Sequence, residues 1–318
     1  MPDAPIGILQ HVGIVLDDLD GARHLFRDIF GLAETRYLDG PDGPAYAFRA
    51  GETVFRVVTS KAAEASLGRP GLHHLTFRVD SLARARGRLK RVGIPVLSDS
   101  PAGPNGCPAL WADPANTIGI LLQFVEEGET LKFPSVFAND IIERVDHLGI
   151  VCRDNAVARR VYIEGLGFPL ECTETDTEAL IPVEIFVTDK YGTVWHTRPP
   201  QVVGSGIDTI FVTVGDFELE IMQPRNAVNL EVPLGTIPGT TRQDQGTMAR
   251  FLEKRGEGLL HICFKTPDIK RALDSMAALG TKPIDPIGRP GGRAGLIGFL
   301  DHRSTLRVLF QFVQRTHR

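Results

Sequence analysis

Four residues in the second half of this 318-residue chain carry atoms that can hold a divalent metal: His147, Glu220, His261 and Gln311. Each lies in a short apolar run, respectively VDHLGIV, FELEIMQP, LLHICFK and RVLFQFV. Along a strand, successive side chains point to opposite faces. His147 therefore shares a face with Gly149 and Val151, and His261 with Cys263. Glu220 shares one with Glu218 and Met222, and Gln311 one with Leu309 and Val313. A lone carboxylate in an apolar strand is costly to bury without a partner, and a metal held together with two imidazoles would satisfy it. Imidazole nitrogen and carboxylate oxygen suit zinc first, with cobalt, nickel, manganese or iron(II) also compatible. Gln311 can add an amide oxygen but cannot take up a proton at neutral pH. One histidine in a strand is more often a hydrogen-bonded core residue than a ligand. The argument rests on four polar residues recurring at equivalent places in four strands.

The first half repeats the pattern with one change. Its equivalent positions are His11, Arg56, His74 and Gln123. A guanidinium stays protonated and cannot donate to a metal. The first half is therefore expected to be metal-free, with a structural or dimerising role. Arg56 is expected to be a paired structural cation, with anion binding as the alternative.

Internal repeats define the elements that must position these residues. QHVGIVLDDLDGARHLFRDIFGL, from Gln10, matches DHLGIVCRDNAVARRVYIEGLGF, from Asp146. HHLTFRVDSLARARGRLKRVGIPV, from His73, matches LHICFKTPDIKRALDSMAALGTKPI, from Leu260. Each reads as a strand, a turn, an amphipathic helix and a Gly exit. Helices should start at the N-cap types Ser81 and Asp268 and stop near Gly93 and Gly280. The expected fold class is α+β, with four tandem β-α-β-β-β modules over about 8–60, 72–127, 144–224 and 258–314. Paired modules give an N-terminal domain over 1–130 and a C-terminal domain over 142–318. Glu126–Ile141, with Pro134, is the expected linker. Two extra stretches, Thr173–Val203 and Asn226–Gly256, should shape a pocket.

A net charge of −4 and the lack of a basic stripe argue against a nucleic-acid partner. The cluster Arg84, Arg86, Arg88, Lys90 and Arg91 lies on one predicted helix and reads as a solvated face. The N-terminus lacks a signal-peptide pattern, and no apolar run reaches the roughly 18 residues of a membrane span. Cys107, Cys152, Cys172 and Cys263 show no metal-binding spacing and are expected to be free thiols. The expectation is a cytoplasmic protein with a small-molecule substrate, assembled as a homodimer.

With these motifs in place, the chain resembles the vicinal oxygen chelate superfamily of glyoxalases, extradiol dioxygenases and bleomycin-resistance proteins. The segments VDHLGIV, FELEIMQP, ARFLEKRGEGLLHICFKTPDIKRAL and FLDHRSTLRVLFQFVQ are most similar to methylmalonyl-CoA epimerase, over most of 144–314. The resemblance implies paired modules curling a mixed sheet around a cleft, and metal-ligand roles for His147, Glu220, His261 and Gln311. It departs from the epimerase at Gln311, where the family has a glutamate that also acts as base. It departs again near Gly204, where a second base is expected. Methylmalonyl-CoA as substrate is therefore in question.

Three functional readings follow. The first is a metal-dependent isomerase or epimerase that removes a proton beside a carbonyl, with Glu220 as catalytic base. Its substrate would be a polyhydroxylated ketone or cyclitol, and Glu184, His196 and Asp208 are candidates for a second acid or base. The second is an Fe(II)-dependent extradiol-type dioxygenase. The third is a protein that sequesters a small molecule.

Overall fold

The computed structural model describes residues 4–36, 45–98, 100–126, 131–133, 139–179, 183–188, 192–197, 203–225 and 241–315, with backbone alone over 177–205. The first half contains β1 (Ile8–Val15), α1 (Leu19–Arg23), β2 (Ala33–Arg36), β3 (Tyr46–Ala50), β4 (Thr53–Val58), β5 (Gly71–Arg78), α2 (Leu82–Arg91), β6 (Ala109–Ala112) and β7 (Leu121–Val125). The second half contains β8 (Arg144–Val151), α3 (Asn155–Ala158), β9 (Leu170–Ala179), β10 (Val183–Thr188), β11 (Gly192–Thr197), β12 (Val203–Val214) and β13 (Phe217–Pro224). It continues with α4 (Thr241–Arg255), β14 (Gly258–Lys265), α5 (Ile269–Ala278), β15 (Arg289–Gly291), β16 (Gly295–Leu300) and β17 (Leu309–Gln314). α1 and α3 each run on into a π-helical segment, His24–Ile29 and Arg159–Gly165.

These strands form two mixed sheets, in an α+β arrangement, and a separate two-stranded hairpin of β10 and β11. The first has the order β2-β3-β4-β1-β5-β7-β6, and the second β15-β16-β17-β14-β8-β13-β12-β9. In both, the first strands of the two modules run antiparallel side by side: β1 with β5, and β8 with β14. Each also has a parallel partner, namely β4 for β1, β7 for β5, β13 for β8 and β17 for β14. The module from β5 departs from the expected pattern. Its first strand after the helix is reduced to a single bridge, Val96 to Ala112. Pro95, just before it, has no N–H to extend a ladder.

The caps lie where the sequence puts them. The Ser81 and Asp268 side chains accept from the Arg84 and Arg271 backbone N–H groups, and Gly93 and Gly280 take positive φ at the helix ends. α2 departs from a wholly solvated face, because the Arg88 guanidinium donates to the Gly165 carbonyl in the other half at 2.9 Å.

Apolar residues on the sheet faces away from the clefts join the halves. Phe30 packs edge-on to Phe310 and Phe264, with ring centroids 4.7 and 5.4 Å apart, and Phe26 reaches Phe310 at 5.8 Å. All four rings are essentially inaccessible to solvent. Because strand side chains alternate, Phe264, Phe310 and Phe312 face this core while His261 and Gln311 face the other way. The halves also touch through backbone. A Cβ on Gly119 (φ +75°) would lie 2.0 Å from the Glu257 carbonyl oxygen, so a side chain cannot be accommodated there.

Candidate functional site

The four central strands of the second sheet bring the sequence-derived set together. His147 Nε2 lies 2.9 Å from Gln311 Oε1 and 3.2 Å from Glu220 Oε2. His261 Nε2 lies 3.3 Å from His147 Nε2 and 3.7 Å from Glu220 Oε2. The donor atoms of His147, Glu220 and His261 all fall within 4.8 Å of one another. Both imidazoles and Gln311 are buried, and Glu220 is nearly so.

The register makes room for this cluster. Gly149 on β8 sits opposite His261 on β14, and a Cβ there would lie 2.0 Å from the His261 ring. Gly13 stands in the same relation to His74 in the first half.

Hydrogen bonding decides which imidazole nitrogen is available. His147 Nδ1 lies 2.8 Å from Asp146 Oδ1, and Asp146 is also paired with Arg315. Burial alone would raise the Asp146 pKa, but the His147 bond and Arg315 hold it well below the usual carboxylate range. Asp146 therefore accepts and Nδ1 donates, which leaves Nε2 as the His147 nitrogen aimed at Glu220 and Gln311. Nε2, Oε2 and Oε1 then face one another, an arrangement that calls for a positive charge among them, supplied by a proton on Nε2 or by a metal ion.

The electrostatics agree. Burial lowers the His147 pKa, but Cys263, Glu220 and Asp146 raise it well above the ordinary imidazole value. Burial raises the Glu220 pKa, but His147, His261 and Arg315 bring it down to about 2. Burial and His147 lower His261 to about 4, so His261 is a neutral donor at physiological pH. This donor set fits a divalent ion.

The equivalent cluster in the first half is wired differently. Thr76 Oγ1 donates to Gln123 Oε1 at 2.8 Å, so His11 Nε2, 2.9 Å away, must donate to Thr76. The His11 nitrogen equivalent to His147 Nε2 is thus committed as a donor to Thr76. Arg56 forms a buried ion pair with Glu64. Among the described residues, groups of three convergent metal-ligating side chains occur only in the second half.

Above the second-half cluster opens a cavity of about 650 Å³. α4 forms its roof. Met248 and Leu252 of this helix pack on Ile207, Met222 and Val151, fixing the helix across the sheet. Asp244 in its first turn pairs with Arg289 at 2.7 Å. Arg289 lies over Phe299, which packs edge-on to His261.

The sheet's two edges meet at residues 292–293. The Arg293 N–H donates to Glu174 Oε1 on β9 at 2.8 Å, and its guanidinium pairs with Glu171 and Glu218. Of the sequence-derived second acid or base candidates, Glu184 and His196 pair in register on the β10–β11 hairpin, but their side chains lie outside the described residues. Asp208 is engaged by Thr175 and Arg225. Gly204 lies at an irregularity in the β12–β9 ladder.

Several functional neighbours escape the sequence reading. Asp146 adjoins His147 in sequence, so the Asp-His dipeptide was the available signal. Asp176 and Asp244 gave none, because ECTETDTE is polar on both faces and Asp244 is one of several polar residues in TTRQDQGT.

The model of the Glyoxalase/Bleomycin resistance protein/Dioxygenase superfamily matches residues 10–111 and 146–299. Over 128 residues the chain is 26% identical to mouse (Mus musculus) mitochondrial methylmalonyl-CoA epimerase, covering 37% of this chain and 72% of the relative. It is 29% identical over 136 residues to the ethylmalonyl-CoA/methylmalonyl-CoA epimerase of Cereibacter sphaeroides, covering 37% of this chain and 96% of the relative. Among solved structures, a triple mutant of Streptomyces coelicolor 4-hydroxymandelate synthase matches 98% of this chain and 93% of its own, with TM-score 0.59 and 15% identity, a likeness of fold alone. With the family model spanning both repeats, the chain belongs to the Glyoxalase/Bleomycin resistance protein/Dioxygenase superfamily.

Proposed function

We propose that the second-half cluster is a divalent-metal centre and that the protein is an isomerase or epimerase acting at a carbon beside a carbonyl. The observation that carries this reading is the convergence of His147, Glu220 and His261, with Gln311 beside them, at the base of a cavity roofed by α4. The epimerase relatives support the same class of reaction.

His147, Glu220, His261 and Gln311 would hold the ion. When bound, it supplies Lewis acidity toward the carbonyl oxygen of a substrate. Asp146 holds His147 in the tautomer that presents Nε2. Glu220 is the base, since Gln311 cannot accept a proton. α4 covers part of the cavity above these residues. Polar walls, including Thr209, Asp244 and Thr247, suit a polyhydroxylated ketone or cyclitol. The names of the relatives make methylmalonyl-CoA the second substrate to test.

Elemental analysis combined with solvent deuterium incorporation tests the reading. Zinc, cobalt, nickel or manganese at one per chain, with deuterium entering beside a substrate carbonyl, is expected. Iron with substrate-dependent oxygen uptake would replace it with the dioxygenase reading. A metal-free protein that binds but does not exchange its ligand would point to sequestration.

A further inference from the structure

We propose that Asp176 is the second acid–base group of this site, delivering a proton to the substrate face opposite Glu220. The proposal rests on the isomerase reading above. It starts from a stereochemical need. A base on one face can remove a proton and return it there, but inverting the carbon requires a donor on the other face.

The backbone places Asp176 for that role. On β9, Cys172, Glu174 and Asp176 point inward while Glu171, Thr173 and Thr175 are exposed, the period-two pattern of a half-buried strand. In register, Asp176 pairs with Ile207 on β12, and β12 pairs in turn with β13, which carries Glu220. Glu220 is level with Phe211 and Cys172, so Asp176 stands two strands across and four residues along from it on one concave wall, and both line the same cavity. Two strand spacings and a four-residue offset along the strands separate the two backbones by roughly 16 Å, room for a small substrate between the carboxyls.

The other inward carboxylates nearby are engaged. Glu174 accepts from the Arg293 N–H, Glu218 pairs with Arg293, and Asp244 pairs with Arg289. Among the described residues, Asp176 makes no hydrogen bond or ion pair and is free to act on a ligand.

Its surroundings also keep it protonated more readily than a surface aspartate. Burial acts first, followed by Glu174 on its own strand, Glu220 on β13 and Asp244 on α4, and together they raise its pKa to about 6. The neighbouring cation, Arg289, is held by Asp244 and Asp285. A group near this value can give a proton and recover it from water at neutral pH. The step balances. Glu220 takes the proton from carbon, and Asp176 gives its own to the opposite face and becomes a carboxylate. Water then resets both groups by proton exchange.

The test uses the full, metal-loaded chain in D₂O with two probes. These are methylmalonyl-CoA and a cyclic polyhydroxy ketone, each epimer supplied separately. In Asp176→Asn, deuterium entry from one epimer is expected to stay within about 3-fold of wild type while conversion between epimers falls at least about 100-fold. Thr173→Val, on the outward face of β9, should not produce this split. Unchanged conversion in Asp176→Asn, or equal loss from both epimers at unchanged metal content, would overturn the role of Asp176 and leave the isomerase reading standing. A wild-type protein that exchanges neither probe would overturn both.

Discussion

His147 Nδ1 donates to Asp146 Oδ1 across 2.8 Å, and this bond decides that Nε2 is the nitrogen that faces the cavity. Removing the acceptor charge should loosen the imidazole without removing a ligand. Asp146→Asn is expected to weaken metal binding about 10- to 100-fold, measured by competition with a chromophoric chelator. Affinity equal to wild type would show that His147 needs no such support.

Glu220→Ala removes the one carboxylate among the four proposed ligands. Metal content after gel filtration should fall from one per chain to a small fraction. Metal should stabilise the folded wild-type chain by about 2.7 kcal/mol when free ion is 100-fold above its dissociation constant. Thermal melts with and without chelator read this. In Glu220→Ala the two melts should coincide.

Gly149→Ala tests the fit of β8 against β14. The new methyl would meet the His261 ring at 2.0 Å, and that ring is held between His147 and Phe299. Metal affinity should drop at least about 10-fold, with a stability loss of about 1–3 kcal/mol, the usual cost of overpacking. Calorimetry with the metal alone, together with urea unfolding, would check both numbers.

Phe310→Ala tests the joint between the halves. Phe310 packs against Phe26, Phe30 and Phe264 with no exposed surface. Its truncation should cost about 3–5 kcal/mol. If the halves unfold separately in this variant, differential scanning calorimetry will show two transitions where the wild type shows one.

The first half should weaken in mild acid. His73 is buried beside His74, and burial lowers its pKa to about 4. The unfolded chain binds this proton near pH 6.5. Stability is therefore fully present above pH 6.5 and is lost as pH falls from there toward 4, by about 2 kcal/mol at pH 5 from this group. Urea midpoints at pH 7.5 and 5 should differ accordingly. His73→Gln should reduce the difference.

The sequence by itself determined the repeat, the α+β class and the helix caps, and it singled out His147, Glu220, His261 and Gln311 as candidate ligands. These were legible because period-two alternation sorts a strand's side chains between two faces, and a polar residue among apolar neighbours stands out against that pattern. It also marked Arg56 as the departure that separates the halves, since a guanidinium has no lone pair to offer. Only the tertiary structure decided the tautomers. Asp146 takes the His147 Nδ1 proton, while Thr76, itself committed to Gln123, takes the proton of His11 Nε2. Those choices depend on which hydroxyl or carboxylate a neighbouring strand places within about 3 Å, and spacing along a single strand does not encode that. Asp176 shows the same limit. In sequence it is one of several acids in a polar stretch, and it gains a part in the site only because β9 lies two strands from Glu220 on the same curved wall.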